Sequence, residues 1–220
     1  MTTVADVRKA VEPLLAAHDD LVLVGRVVAI KPINHILKGV FLDRSSWRDD
    51  FVVRWAAIFL FEPRSSFMLS WGSYIYCPLP GLWTLQTPDL STHLKTSIEN
   101  EALPVLRPVR TIAAFSDYAT VQRIGGPLQN FPFSHIVVEA ALGRFDNCDR
   151  ILQYLDSRRL KPANPDEDEL RITRDLAPLI RARDRVGIAA LLHEWEACSV
   201  TAMKLEKHWE RTPFPIECGA

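Results

Sequence analysis

The chain has few of the features by which a sequence usually announces chemistry. It holds four cysteines, Cys77, Cys148, Cys198 and Cys218. The nearest two stand 20 residues apart, so there is no CxxC and no zinc-finger spacing, and they are too sparse for a disulfide scaffold. Reduced thiols are expected. Its nine glycines form no GxGxxG, no Walker loop and no nucleophile elbow, and no HExxH, HxE…PCxxC or EF-hand loop occurs. Neither charge sign is in excess: 26 Lys and Arg stand against 27 Asp and Glu, for a net charge of -1. That balance argues against a dedicated nucleic-acid or membrane-surface protein. The apolar run at residues 56–61 is far short of a bilayer span. The first residues carry acid and base early and do not read as a signal peptide. Cys218 is third from the end, so the prenylation pattern fails. These absences lead us to expect a cytoplasmic protein with no cofactor, no metal, no nucleic-acid partner and no membrane partner.

What is present is a change of hydrophobic period. From Leu21 to about Cys77 apolar residues alternate or run continuously; from about Ser91 they recur every three or four residues. This predicts an α+β fold: an N-terminal helix, a four-stranded mainly antiparallel meander, and a helical C-terminal half. Residues 1–130 would form the sheet region and 131–220 a helical region packed on it. At 220 residues such a chain buries roughly 70% of its unfolded surface and needs no staples. Thr3 is placed to cap the first helix, and Pro13 predicts a kink or an early end in it. The strand candidates are 21–30, 35–42, 51–61 and 67–77. In the third, both faces are mostly apolar, so it should be central with Trp55 in the core. Residues 62–66 read as a turn and 78–88 as an irregular crossover. Ser91 should cap a helix reaching about Asn100. Pro104 and Pro108 should break the chain beyond it, with a short helix near 109–118.

The segment from Ser134 reads as a helical hairpin. Its turn, Ala141-Leu142-Gly143-Arg144-Phe145-Asp146, resembles the inter-helix turn of a tetratricopeptide repeat. No second copy is found at a 34-residue period, so the likeness covers one hairpin. Asn164 and Pro165 suit a helix start, and Pro178 should divide that helix from the next. A last helix is expected to carry one apolar stripe from Ile188 to Trp209. Part of it, Leu191, Trp195, Ala202, Leu205 and Trp209, would be a homodimer surface, because a stripe that long outruns the hairpin available to cover it.

For chemistry, Cys77 with His35 or His93 has nothing in its spacing to favour catalysis, and His193 and His208 lie too far apart on a helix to share an ion. No catalytic residue is assigned. Arg26, Lys31, His35, Lys38 and Arg54, with Asp43 and Arg44, crowd into the first three strands and their loops. The order of helix, aromatic-rich meander and trailing helices is similar to small uncharacterised bacterial proteins, some immunity proteins of toxin systems among them. The expectation is therefore a non-catalytic interaction or regulatory protein with a protein partner or itself as partner. The alternative is an anionic-ligand binding protein or enzyme using the cationic sheet face; a cavity near Arg26, Lys38 and Arg54 would favour it.

Overall fold

The computed structural model of the chain describes residues 3–45, 49–62, 69–121, 126–158 and 167–219. Helix α1 (Val4–Ala17) opens with a capping box in which the Thr3 hydroxyl accepts from the Asp6 N–H and the Asp6 carboxylate accepts from the Thr3 N–H. Pro13 neither ends nor shortens the helix. It lies on the exposed face, where water reaches the carbonyl that the missing N–H leaves unbonded.

The sheet is an antiparallel meander, as expected, but among the described residues it has six strands. The predicted strand 21–30 is a hairpin of β1 (Leu21–Val24) and β2 (Val27–Ile30), in register Leu21↔Ile30 and Val24↔Val27. Gly25, at φ +60°, takes the left-handed conformation that a two-residue turn requires. β3 (Ile36–Arg44) comes after a cis Lys31–Pro32 peptide, and Gly39 meets β2 closely: a Cβ there would lie 2.8 Å from the Val28 carbonyl oxygen. β4 (Asp50–Phe59) is central, flanked by β3 on one side and on the other by β5 (Gly72–Ile75) and β6 (Trp83–Thr84). β6 is hidden inside the proline-rich crossover; Phe51↔Trp83 pairing fixes it. Most of the turn expected at 62–66 lies outside the described residues.

Both sheet faces are buried. Ile36, Val40, Val53, Trp55, Ala57 and Phe59 face the larger core, which continues through the helices to Phe214 and Ile216. Leu37, Phe41, Ala56, Ile58 and Leu60 face a smaller one closed by Val200, Met203 and Leu205.

The expected helix breaks at Pro104 and Pro178 do not occur. α2 (Leu90–Ser97) runs through a π-turn at Ile98–Ala102 into α3 (Leu103–Leu106), and α7 (Glu167–Arg171) runs through a π-turn at Ile172–Leu176 into α8 (Ala177–Arg181). In each case the residue before the proline donates five residues back, Leu103 to Ile98 and Ala177 to Ile172. The wide turn shifts the ladder just where the proline has no hydrogen to give. α2 starts at Leu90 with Asp89, not Ser91, at the cap position, and α4 spans Ile112–Val121.

The helical hairpin is present as α5 (Pro132–Ala141) and α6 (Phe145–Arg158). A second one lies beyond it: α8 and α9 (Arg185–Ala202). The two turns are alike. Gly143 and Arg144 donate to Ala140 and Glu139; Arg183 and Asp184 donate to Ile180 and Leu179. Gly143 (φ +70°) and Arg183 (φ +52°) take the same left-handed position, 40 residues apart. A glycine-based search at a period of 34 misses the second because arginine fills the glycine's place.

α9 ends in the same motif. Lys204 (φ +58°) donates to Thr201 and Leu205 donates to Val200. The predicted stripe to Trp209 is thus not one helix. Trp195 and Leu205 are fully buried within the chain, Ala202 is exposed, and Leu191 and Trp209 are half-buried. Trp209 turns back to bridge Ile33. The length argument for a dimer seam therefore fails.

The four cysteines are free. Burial pushes the Cys148 thiol up to about 12, while Cys198 and Cys218 are exposed. A thiol reagent should label Cys198 and Cys218 rapidly in the native protein and Cys148 only after denaturation. Fast native labelling of Cys148 would show that α5 and α6 do not pack as described.

Candidate functional site

The end of α1, the β2–β3 connection, β3 and the segment after α3 meet around a cavity of about 480 Å³. Its lining is Asp20, Ile30, Lys31, Pro32, Asn34, Lys38, Arg107 and Arg110, four cations against one carboxylate. Lys38 is the unusual member. It shares its sheet face with Ile36 and Val40 of the larger core and is only 4% exposed. No hydrogen bond or ion pair joins its ammonium to any described residue. Burial pulls the Lys38 ammonium below the usual lysine range; Arg110 adds to the shift and Asp20 opposes it.

Arg107 is held in place. Its Nε and Nη2 donate to the two Asp20 oxygens at 3.0 and 2.9 Å, and these bonds hold the Asp20 carboxyl below the ordinary range. Nη2 also donates to His18 Nδ1 at 3.1 Å, so His18 turns its Nε2–H to Glu99 at 2.8 Å. The Asp20 carboxylate is thereby spent on Arg107. Arg110 uses Nε on the Arg107 carbonyl and keeps its terminal nitrogens. The side chains of Lys31 and Asn34 have no hydrogen-bond partner among the described residues. What remains open to the cavity is almost all donors, and the complementary ligand is an oxyanion that only accepts.

The sequence-predicted cations divide. Lys31 and Lys38 come together here. Arg26 donates to the Leu42 carbonyl, and Arg54 pairs with Asp43 and lies over Tyr74, 5.7 Å from the ring centroid; neither lines this cavity. Nor does His35. Its Nδ1 is 2.9 Å from Glu196 Oε1, and its Nε2 lies 3.2 Å from the Pro213 carbonyl oxygen and 3.1 Å from the Thr212 hydroxyl. The ring stacks on Phe214 at 4.0 Å. Both ring nitrogens are occupied, so His35 is no base for Cys77. Glu196 is fully buried, with His193 Nδ1 3.7 Å from its second oxygen and His193 Nε2 3.0 Å from Glu217. This network fastens the C-terminal segment to α9 and the start of β3.

A cavity of about 610 Å³ opens beside it, between Val186, Ala189, Ala190, Ile216, Arg185 and Arg211. Arg185 is engaged there with the Ile216 carbonyl and the Phe145 ring. His193 and Glu217 also line it and are paired with each other at 3.0 Å, so we place the candidate site at Lys38. Among the described residues no group of three His, Cys, Asp or Glu side chains is arranged to hold a metal, and no helix is long and apolar enough to cross a membrane.

Sequence reasoning missed Asp20, Asn34, Arg107 and Arg110. Arg107 and Arg110 flank Pro108 in a stretch that reads as a break, and 87 residues separate Arg107 from Asp20; no local pattern joins them.

Lys38→Met should raise stability in urea by about 1 kcal/mol or more at neutral pH, because it removes a charge that burial disfavours and that no described acid pairs. The folded state releases the Lys38 proton at lower pH than the unfolded state, so between the two values unfolding takes up a proton and stability rises with pH. The gain from Lys38→Met should therefore shrink as pH climbs to the ordinary lysine range. A variant less stable than the wild type would contradict the unpaired charge.

No protein-family model, curated protein or solved structure matches the chain.

Proposed function

We propose that this protein binds a small anionic ligand, a carboxylate or phosphate, in the cavity at Lys38. The observation that carries this reading is a buried lysine without a partner, facing a cavity with Arg107, Arg110 and Lys31. Holding such a charge costs stability unless an anion shares the site. Titration calorimetry with inorganic phosphate should find one site whose affinity falls as chloride is raised. Arg110 is exposed, so Arg110→Glu should fold and lose the binding. Undetectable binding by the wild type, or unchanged binding by Arg110→Glu, would overturn the assignment.

The second reading is a protein partner, a homodimer included. It is supported by Tyr74 and Tyr76, 39% and 75% exposed, whose rings lie 6.1 Å apart beside the sheet edge. Sedimentation as a monomer at tens of micromolar would remove the homodimer from this reading.

A further inference from the structure

We propose that Lys38 is a nucleophilic amine, and that the cavity forms an imine between Lys38 Nζ and the carbonyl carbon of a small oxo acid whose carboxylate is held by Arg110 and Lys31. This rests on the reading of the cavity as an anion site and names its substrate class.

Three observations lead to it. Lys38 sits on a β-strand between Leu37 and Gly39 with its stem buried, so the amine is fixed by the sheet. No described acid pairs with it; the one carboxylate in the cavity is turned to Arg107. Burial, and after it the like charge of Arg110, favours the free amine, which is the form that attacks a carbonyl. An amine nucleophile is helped by burial, because full hydration would keep it protonated.

The step balances without an oxidant or reductant. The Nζ lone pair forms the C–N bond while the carbonyl π pair moves to oxygen, which takes up a proton from solvent as Nζ gives one back, leaving the neutral carbinolamine. The carbinolamine then loses its hydroxyl and the remaining Nζ hydrogen as water, and the nitrogen lone pair closes the C=N bond. The net change is amine plus carbonyl to imine plus water. An adjacent carboxylate fits the donors left open at Arg110 and Lys31.

The test uses the wild-type protein with pyruvate as probe. Pyruvate binding is measured by calorimetry, and in parallel the mixture is treated with borohydride, whose hydride reduces C=N to a stable secondary amine. Peptide mapping then locates the adduct. The expected result is measurable binding and one alkylated lysine, Lys38. Acetone at equal concentration should label it about tenfold less or worse, since it lacks the group that one charge-assisted hydrogen bond would hold. Lys38→Arg, which keeps the charge, should bind pyruvate without forming the adduct. Binding with no adduct on Lys38, or an adduct spread over exposed lysines such as Lys9 and Lys204, overturns the imine and leaves the anion site standing. Absence of binding and of adduct overturns the anion site and the imine together.

Discussion

Glu196→Ala is expected to cost about 3–5 kcal/mol of folding stability. The Glu196 carboxylate is fully buried, receives His35 at 2.9 Å and faces His193 at 3.7 Å. The His35 Nε2 is answered separately, by the Pro213 carbonyl at 3.2 Å and the Thr212 hydroxyl at 3.1 Å. Removing the carboxylate leaves an imidazole buried at 7% exposure with its Nδ1 unanswered. It also frees the segment from Thr212 to Glu217, which reaches the core through Phe214 and the His35 ring. Urea melts of Glu196→Ala and of a His35→Phe, Glu196→Leu pair distinguish the causes. The pair should recover part of the loss, because an apolar couple leaves no buried group unpaired. A loss below about 1 kcal/mol in the single variant would show that the network is not a fastening.

Trp55→Ala should cost a similar amount, about 3–5 kcal/mol. Trp55 is mid-strand in β4, opposite Val40 on one side and Ser73 on the other, and is 6% exposed. The strand cannot close over the space: its neighbour Ala56 is in contact with Gly72, where a Cβ would strike the Trp55 carbonyl oxygen and lie 2.9 Å from Ala56 Cα. With the backbones already this close, collapse into the vacated volume is restricted. A loss below about 1 kcal/mol in urea would mean that β4 is not central.

How far the sequence carries is clearest at particular residues. The α1 cap at Thr3, the doubly buried β4 and the turn at Gly143 are legible, because each rests on a local pattern: a capping residue, a two-residue period, a glycine that must be left-handed. Where the local pattern is ambiguous, it misleads. Gly25-Arg26 interrupts an apolar run and reads as part of one strand, although two residues suffice for a hairpin turn. Pro104 and Pro178 read as breaks, because a π-turn leaves no trace in composition. Arg183 and Lys204 occupy helix-ending positions that glycine would have advertised, so a second hairpin stays hidden and the last helix reads too long. The candidate site is half legible. Lys31 and Lys38 lie on adjacent elements of one meander, whereas Arg107, Arg110 and Asp20 reach the cavity only through tertiary packing. Arg26, His35 and Arg54 share the same stretch of sequence but diverge in space, since strand alternation and the β2–β3 turn send them to other partners.

The most direct test of the anion site is thermal denaturation of the wild type and of Lys38→Met against rising phosphate, with chloride adjusted to hold ionic strength constant. A ligand that binds only the folded state stabilises by an amount that grows with the logarithm of its concentration, about 2.7 kcal/mol at a hundred times its dissociation constant. The wild-type midpoint should climb in this way, and the Lys38→Met midpoint should start higher and stay nearly flat. A wild-type midpoint that does not move, or parallel rises in the two proteins, would contradict an anion site built around Lys38.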